Sequence, residues 1–259
     1  MSFLSKLIPR RLLSAAERQD KSGPWETTSE AELRQKLLGV MRLYRFLTHE
    51  QQGVLCEFVR RFYTGKEVFI HPSVNNVEQT LLAVAANAAL VGAAQKTHYF
   101  ATVKWVYLCA DDLEVDGDAF ASSTVRINSE LCLDESQYPR PGSNLVVHEF
   151  SHILDSLLGL SGSTQGLRDG FTQYIQDIQK GNWLPIADCF TDIDDIDLVP
   201  DDIPQSAFHT EIEFFAAASE AFFTNADQLK AYHRPLYNDL SLIYGLDLAE
   251  LNWREVYQE

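Results

Sequence analysis

The chain has 259 residues with a formal charge of −16, and 46% of the residues are hydrophobic. This composition supplies enough apolar surface for a large core and excludes general disorder, and the length is at the upper end for one domain. The acidic balance argues against nucleic-acid binding, because phosphate contacts need clustered Lys and Arg. The 4 cysteines form no CxxC pair and are typical of reduced thiols rather than a disulfide framework.

Residues 1–28 are predicted to form a flexible basic arm ahead of a single domain over 29–259. The apolar start of the arm is interrupted by Pro9 and two arginines, so we predict no targeting segment. The longest apolar stretch, 81–94, is too short to span a bilayer. The sequence therefore predicts a cytoplasmic protein without stable membrane insertion and without a nucleic-acid partner.

The predicted elements mix helices and strands without regular alternation. Apolar residues at helical spacing predict helices over 29–63, over 77–94 and from about Ser143 onward. Short β-rich segments predict a strand over 66–71, a central strand over 102–110 and an edge strand over 123–133. This order favours an α+β fold over a doubly wound sheet.

Two acidic segments require separate interpretation. Residues 112–118 begin like a calcium-binding loop, but Ser123 stands where a bidentate glutamate is required, which favours a solvated turn. Residues 188–202 contain seven aspartates and fit no metal-loop template. We interpret the second segment as a solvated loop, and its position in the chain would allow it to cover an active site.

The pattern that indicates chemistry is His148-Glu149-Phe150-Ser151-His152, an HExxH motif flanked by apolar residues that predict a buried helix. Histidines at i and i+4 lie on one helix face, so their imidazoles can converge on one metal ion. Neutral imidazole nitrogens suit zinc. Glu149 can flank the ion without binding it and accept a proton from water. The alternative is a core helix whose histidines are satisfied by hydrogen bonds. This interpretation is the weaker one, because the motif has two histidines at i and i+4 with a glutamate between them.

A catalytic zinc also requires a third protein ligand and an open position. Asp155 shares the helix face, but three ligands on one helix rarely converge, so it is interpreted as an acceptor for a histidine N–H or as a local contact. Glu213 and Glu220 share one face of a predicted helix over 210–225. Thr210 and Glu213 also form a capping-box pattern, which would engage Glu213 at the helix N-terminus. Spacing alone leaves the two glutamates as equal candidates.

The segment 144–155, followed about sixty residues later by Glu213-Phe214-Phe215-Ala216 and Ser219-Glu220, resembles the Mlc titration factor A family. These are cytoplasmic bacterial zinc metallopeptidases whose catalytic core is similar to that of lethal-factor-type gluzincins. The resemblance covers roughly residues 40–245 and implies a zincin-like α+β core. It also implies that His148, His152 and Glu213 hold zinc and that Glu149 is the general base. Because Glu213 and Glu220 lie about 10 Å apart along the helix axis, both cannot contact one ion, so we predict that Glu220 contacts a ligand instead.

One position departs from the family pattern. The family typically has a tyrosine seven residues before its glutamate ligand, where it helps to stabilise the tetrahedral intermediate. Ser206 occupies this position and is too short for that role, so either His209 substitutes as a donor or activity is reduced.

The resemblance predicts a peptidase with an aminopeptidase-like preference for short peptides. The predicted edge strand over 123–133 could pair with an extended substrate. The alternative is a binding protein that sequesters a transcriptional repressor, because the family name records titration of such a repressor. The intact Glu149 favours the enzyme, whereas the missing tyrosine favours the binding protein.

Overall fold

The computed structural model describes residues 17–18, 25–95, 97–109, 117–120, 123–182, 189–190 and 210–257. It confirms the predicted α+β class. The helices are α1 Glu30–Val40, α2 His49–Phe62, α3 Val77–Gly92, α4 Ser129–Gln137, α5 Leu145–Leu158, α6 Gln165–Gln179, α7 Glu211–Thr224, α8 Ala226–Tyr232, α9 Arg234–Tyr244 and α10 Trp253–Tyr257. The strands are β1 Glu17–Arg18, β2 Glu67–Ile70, β3 Trp105–Cys109, β4 Gly117–Phe120 and β5 Thr124–Asn128.

The strands form a mixed sheet in the order β1-β2-β3-β5-β4 within the described segments. β2, β3 and β5 run parallel, whereas β1 and β4 are antiparallel to their neighbours at the two edges. Side chains on one face of β3 and β5 are fully buried, as expected for parallel strands covered by helices: Val106, Leu108, Val125 and Ile127. β3 is therefore the central strand that its sequence predicted.

The prediction of an edge strand over 123–133 is wrong. β5 ends at Asn128 and lies between β3 and β4, so it is an interior strand. The chain then enters α4, because the Asn128 side chain accepts hydrogen bonds from the N–H groups of Glu130 and Leu131. Asn128 is thus a helix-start signal. It lies inside a segment in which alternating apolar and polar residues had predicted a longer strand.

The helical region predicted over 29–63 is divided into two helices. α1 ends at Val40, and a short 3-10 helix at Leu43–Phe46 precedes α2. Thr48 begins α2 through a capping box, in which its side chain accepts from the Gln51 N–H and the Gln51 side chain accepts from the Thr48 N–H. This second start signal explains why one continuous helix does not form.

Part of the predicted N-terminal arm packs against the domain. β1 pairs with β2, and Trp25 is buried with its ring 5.9 Å from the ring of Tyr63. The other residues before Trp25 lie outside the described part of the chain. The boundary between arm and domain at residues 28 and 29 therefore stays a prediction.

Helix α3 is buried along most of its length and packs against α2, α4 and α5. Asn87 is the polar exception within its apolar run and is only 1% exposed. Among the helices in the described ranges, none has both the length and the apolar character required to cross a bilayer.

Gly92, at the end of α3, allows a close approach that supports α5. A Cβ at this position would lie 2.5 Å from Cε2 of Phe100, whose buried ring packs against that of Phe150 in α5, with the ring centroids 4.9 Å apart. We expect Gly92→Ala to destabilise the fold by about 1–3 kcal/mol, because the added Cβ would overlap both the buried ring of Phe100 and Oγ1 of Thr97, at 2.7 Å. The free energy of unfolding in urea measures this effect.

The matched control is Gly39→Ala in α1, where an added Cβ meets no atom within 4 Å. This control is expected to stabilise the fold by up to about 1 kcal/mol, because alanine favours helix more than glycine does. Equal unfolding free energies for the two variants would contradict the close packing at Gly92.

Candidate metal centre

Helix α5 carries the HExxH motif and is fixed in the core by its apolar side chains. Val147, Phe150 and Leu154 are fully buried, and the helix packs against α3, α7 and the edge strand β4. The Asn144 side chain caps the helix by accepting from the Val147 N–H at 3.0 Å. The remaining face directs the two histidines toward α7.

Three donor atoms from α5 and α7 converge at this interface. Nε2 of His148 lies 3.1 Å from Nε2 of His152. Oε2 of Glu213 lies 3.5 Å from the first nitrogen and 3.4 Å from the second. Zinc bonds of about 2.0–2.1 Å in a tetrahedral site separate neighbouring ligand atoms by about 3.3 Å. The spacing of these three atoms and their chemistry both fit a zinc ion.

The three side chains border solvent on one side. The side chains of His148, His152 and Glu213 are 27%, 20% and 40% exposed, respectively. A catalytic metal needs an open position in addition to its three protein ligands. The arrangement therefore leaves room for water or substrate rather than enclosing the site.

Glu213 meets the histidines although its helix is capped as the sequence suggested. The Thr210 hydroxyl accepts from the backbone N–H of Glu213 at 3.2 Å, so the cap uses the main chain of this residue. The Glu213 carboxylate is left to contact both imidazoles. The capping pattern and the contact with the histidines are therefore compatible.

Glu220 contacts the opposite side of His148. Its Oε2 lies 2.8 Å from Nδ1 of His148, and its Oε1 accepts from the Asn144 N–H at 2.9 Å. A carboxylate at Nδ1 favours the tautomer that carries its proton there, which leaves Nε2 free for a metal. Glu220 is thus arranged to orient a ligand rather than to join the three converging atoms.

Charge coupling in the cluster is strong. Burial alone would lower the pKa of His148, but the carboxylates of Glu220 and Glu213 raise it well above its usual value. Hydrogen bonding to His148 and then His152 holds the pKa of Glu213 far below its usual range. The carboxylate is thus ionised and the cluster attracts a cation, a proton or a metal ion.

Glu149 lies on the buried side of the motif and is 6% exposed. Burial raises its pKa, an effect that His148 and His152 oppose. A carboxylate with a raised pKa is a stronger base than an exposed one and suits proton transfer near neutral pH.

The other predicted site residues differ in position. Asp155 accepts from the Ser161 N–H and hydroxyl at 2.5 and 3.0 Å, which corresponds to the local contact rather than to a bond with a histidine. Ser206 and His209 lie outside the described residues. The acidic segment 188–202 is described only at Cys189 and Phe190, and the segment 112–118 only from residue 117.

A buried carboxyl that the sequence did not predict, on Glu135 of α4, lies at the N-terminus of α5. Glu135 is 3% exposed and accepts from the Ser143 hydroxyl at 2.5 Å and from the Leu145 N–H at 2.7 Å. Burial raises its pKa to about 7. No local signal identifies this residue, because only the packing of α4 beside α5 brings it to the helix N-terminus.

The model of the glucose-regulated metallo-peptidase M90 family matches residues 16–245, which include the sheet and both helices of the candidate centre. The match confirms the resemblance noted from the motif segments. No curated protein matches the chain significantly in sequence.

Glu135 predicts a pH dependence of stability. Its folded-state pKa of about 7 lies above the ordinary value of 4.5, so the folded state binds the proton more tightly and stability decreases as pH rises between these values. Glu135→Gln can still accept from Leu145 but cannot ionise. We expect the variant to gain on the order of 1–3 kcal/mol relative to the native chain between pH 5 and pH 8.

Urea unfolding of the metal-free chain at both pH values measures this gain. Glu250→Gln is the control, because the Glu250 side chain is 82% exposed and its replacement is expected to change stability little at either pH. A stability difference for Glu135→Gln that is the same at both pH values would contradict the prediction.

Proposed function

Because the chain belongs to the glucose-regulated metallo-peptidase M90 family, we propose that it is a zinc-dependent peptidase with zinc held by His148, His152 and Glu213. The family implies a metal ion, and these residues form a group able to hold one. The observation that carries the proposal is the convergence of three donor atoms at 3.1, 3.4 and 3.5 Å from one another. Two imidazoles and one carboxylate with an open side are typical of catalytic rather than structural zinc.

Zinc would supply Lewis acidity, which lowers the pKa of water and polarises a carbonyl group. Glu149 accepts the proton as water attacks the scissile carbonyl carbon. The same carboxyl then donates this proton to the nitrogen of the leaving group, so that the C–N bond breaks and a neutral amine leaves. Burial of Glu149 supports both steps, because a raised pKa balances proton uptake against release.

The substrate is proposed to be a peptide that lies along β4. This strand packs against α5 and has β5 on one side. Within the described residues no strand pairs with its other side, so its main chain could bind an extended peptide. The charge of −16 favours basic or neutral peptides over acidic ones. A preference for short peptides remains part of the proposal by family resemblance.

The compartment is proposed to be the cytoplasm. All four cysteines are buried thiols outside any disulfide, which suits a reducing environment. The alternative function is sequestration of a transcriptional repressor. It requires no proton transfer, so replacement of Glu149 should abolish peptidase activity but should not prevent sequestration.

Glu149→Gln is expected to keep zinc and the fold but to lose peptidase activity by at least about 10²-fold, because the amide cannot act as the base. Cleavage of a panel of short peptides measures the activity, and metal analysis of the same preparation measures zinc. Unchanged turnover would exclude Glu149 as the base, and the absence of cleavage by the native zinc-loaded chain would favour sequestration.

Glu213→Gln and Glu220→Gln separate a zinc ligand from a residue that orients one. We expect Glu213→Gln to lose zinc outright, whereas Glu220→Gln should weaken zinc binding by about 10–100-fold. Competition with a chromophoric chelator measures both affinities.

Glu211→Gln is the matched control, because Glu211 is exposed in the first turn of the same helix. It is expected to bind zinc as the native chain does. Normal zinc binding by Glu213→Gln together with loss of zinc in Glu220→Gln would contradict the proposal. The third ligand would then be Glu220, about two turns further along α7.

A further inference from the structure

Asn87 has a set of hydrogen bonds that helix stability alone does not require. It is the polar side chain within the apolar run from 81 to 92 of α3, and it is 1% exposed. Its Nδ2 donates to the Ala83 carbonyl at 2.9 Å and to the Ser136 hydroxyl at 2.8 Å. Its Oδ1 accepts from Nδ2 of Asn144 at 2.9 Å. Asn87 thus joins its own helix to α4 and to the start of α5, and its loss would take a hydrogen-bond partner from a buried polar group on each.

Asn144 connects Asn87 to the candidate metal centre. Its Oδ1 accepts from the Val147 N–H, and its own backbone N–H donates to Oε1 of Glu220 at 2.9 Å. The other oxygen of Glu220 lies 2.8 Å from Nδ1 of His148. A chain of contacts therefore runs from Asn87 in α3 to Asn144, the N-cap residue of α5. It continues from Asn144 to the carboxylate of Glu220 in α7 and from there to His148 in α5.

The direction of both amides is fixed by main-chain groups. The Val147 N–H requires an acceptor, so Asn144 must turn Oδ1 toward it and Nδ2 toward α3. Asn87 must then present Oδ1 to that nitrogen, and its Nδ2 faces the Ala83 carbonyl. Each amide has one orientation that satisfies all of these groups.

We propose that Asn87 is a positioning residue for His148, acting through Asn144 and Glu220. This inference rests on the proposed zinc site. Without the Asn87 oxygen, Nδ2 of Asn144 is buried without an acceptor, and rotation of the amide to find one removes Oδ1 from the Val147 N–H. The N-terminus of α5 then loosens, Oε1 of Glu220 loses its anchor, and the imidazole of His148 is no longer held at the angle that aims Nε2 at the ion.

Asn87→Leu in the full-length chain tests the proposal, because leucine has the same number and branching of heavy side-chain atoms and no polar atom. We expect zinc affinity, measured by chelator competition, to fall by about 3–10-fold, which is less than the roughly 10–100-fold effect of losing a direct partner of a ligand. Asn87→Asp keeps an oxygen that can accept from Asn144 and is expected to bind zinc more tightly than Asn87→Leu does.

Ser219→Ala is the control for general destabilisation. Ser219 is fully buried in α7, the helix that carries both glutamates, and its hydroxyl bonds to the Phe215 carbonyl and to Tyr244. This control is expected to lose stability but to retain native zinc affinity. Ser136→Ala removes only one anchor of Asn87 and replaces Asn87→Leu if that variant does not fold, with a smaller decrease in affinity expected.

Proton NMR of ¹⁵N-histidine-labelled protein reports on His148 directly. The Nδ1–H bonded to Glu220 is expected to exchange slowly in the native chain and in Ser219→Ala, and faster in Asn87→Leu. Native zinc affinity and a native exchange rate in a destabilised Asn87→Leu would overturn the proposal. If the native chain bound no zinc, the proposed function would fail, and the exchange rate in the metal-free chain would still decide the role of Asn87.

Discussion

The packing of α5 against α7 is the constraint on which the candidate centre depends. Two imidazoles come from one helix and two carboxylates from the other, so no short segment of the chain contains the cluster. Removal of these charges from water costs free energy, and burial of the α7 aromatic residues offsets it. Phe214 packs against rings of α6, and Phe222 and Phe223 pack against rings of α9. These contacts hold α7 beside α5, where its carboxylates meet the histidines.

The N-terminus of α5 extends this arrangement away from the donor atoms. Glu135 accepts from the Leu145 N–H and Glu220 from the Asn144 N–H, so two acidic groups satisfy adjacent main-chain donors. The positive end of a helix dipole stabilises negative charge at this position. The N-terminus of α5 thus fixes both the start of the motif helix and the position of the Glu220 carboxylate. Asn87 connects this terminus to α3 through its hydrogen bond with Asn144.

The sequence predicted the parts of the structure that depend on local patterns. The buried helix α3, the central strand β3 and the motif helix α5 follow from apolar spacing. The HExxH motif contains the two histidines that the structure places beside Glu213. Two helix-start signals, Asn128 and Thr48, were present but were overlooked beside longer periodic patterns. Helical spacing did not distinguish Glu213 from Glu220, because it places both on one face, whereas the structure brings Glu213 close to Nε2 of both histidines and Glu220 to Nδ1 of His148. Glu135 could not be predicted, since its contact with α5 arises only from tertiary packing.

The proposed function and the proposed role of Asn87 both rest on a zinc ion bound between α5 and α7. Anomalous diffraction at the zinc absorption edge, from crystals of the zinc-loaded chain, tests this claim most directly. We expect one peak about 2.0–2.1 Å from Nε2 of His148, Nε2 of His152 and the nearer oxygen of Glu213. A fully occupied zinc bound elsewhere in the chain, with no peak among these three atoms, would contradict it.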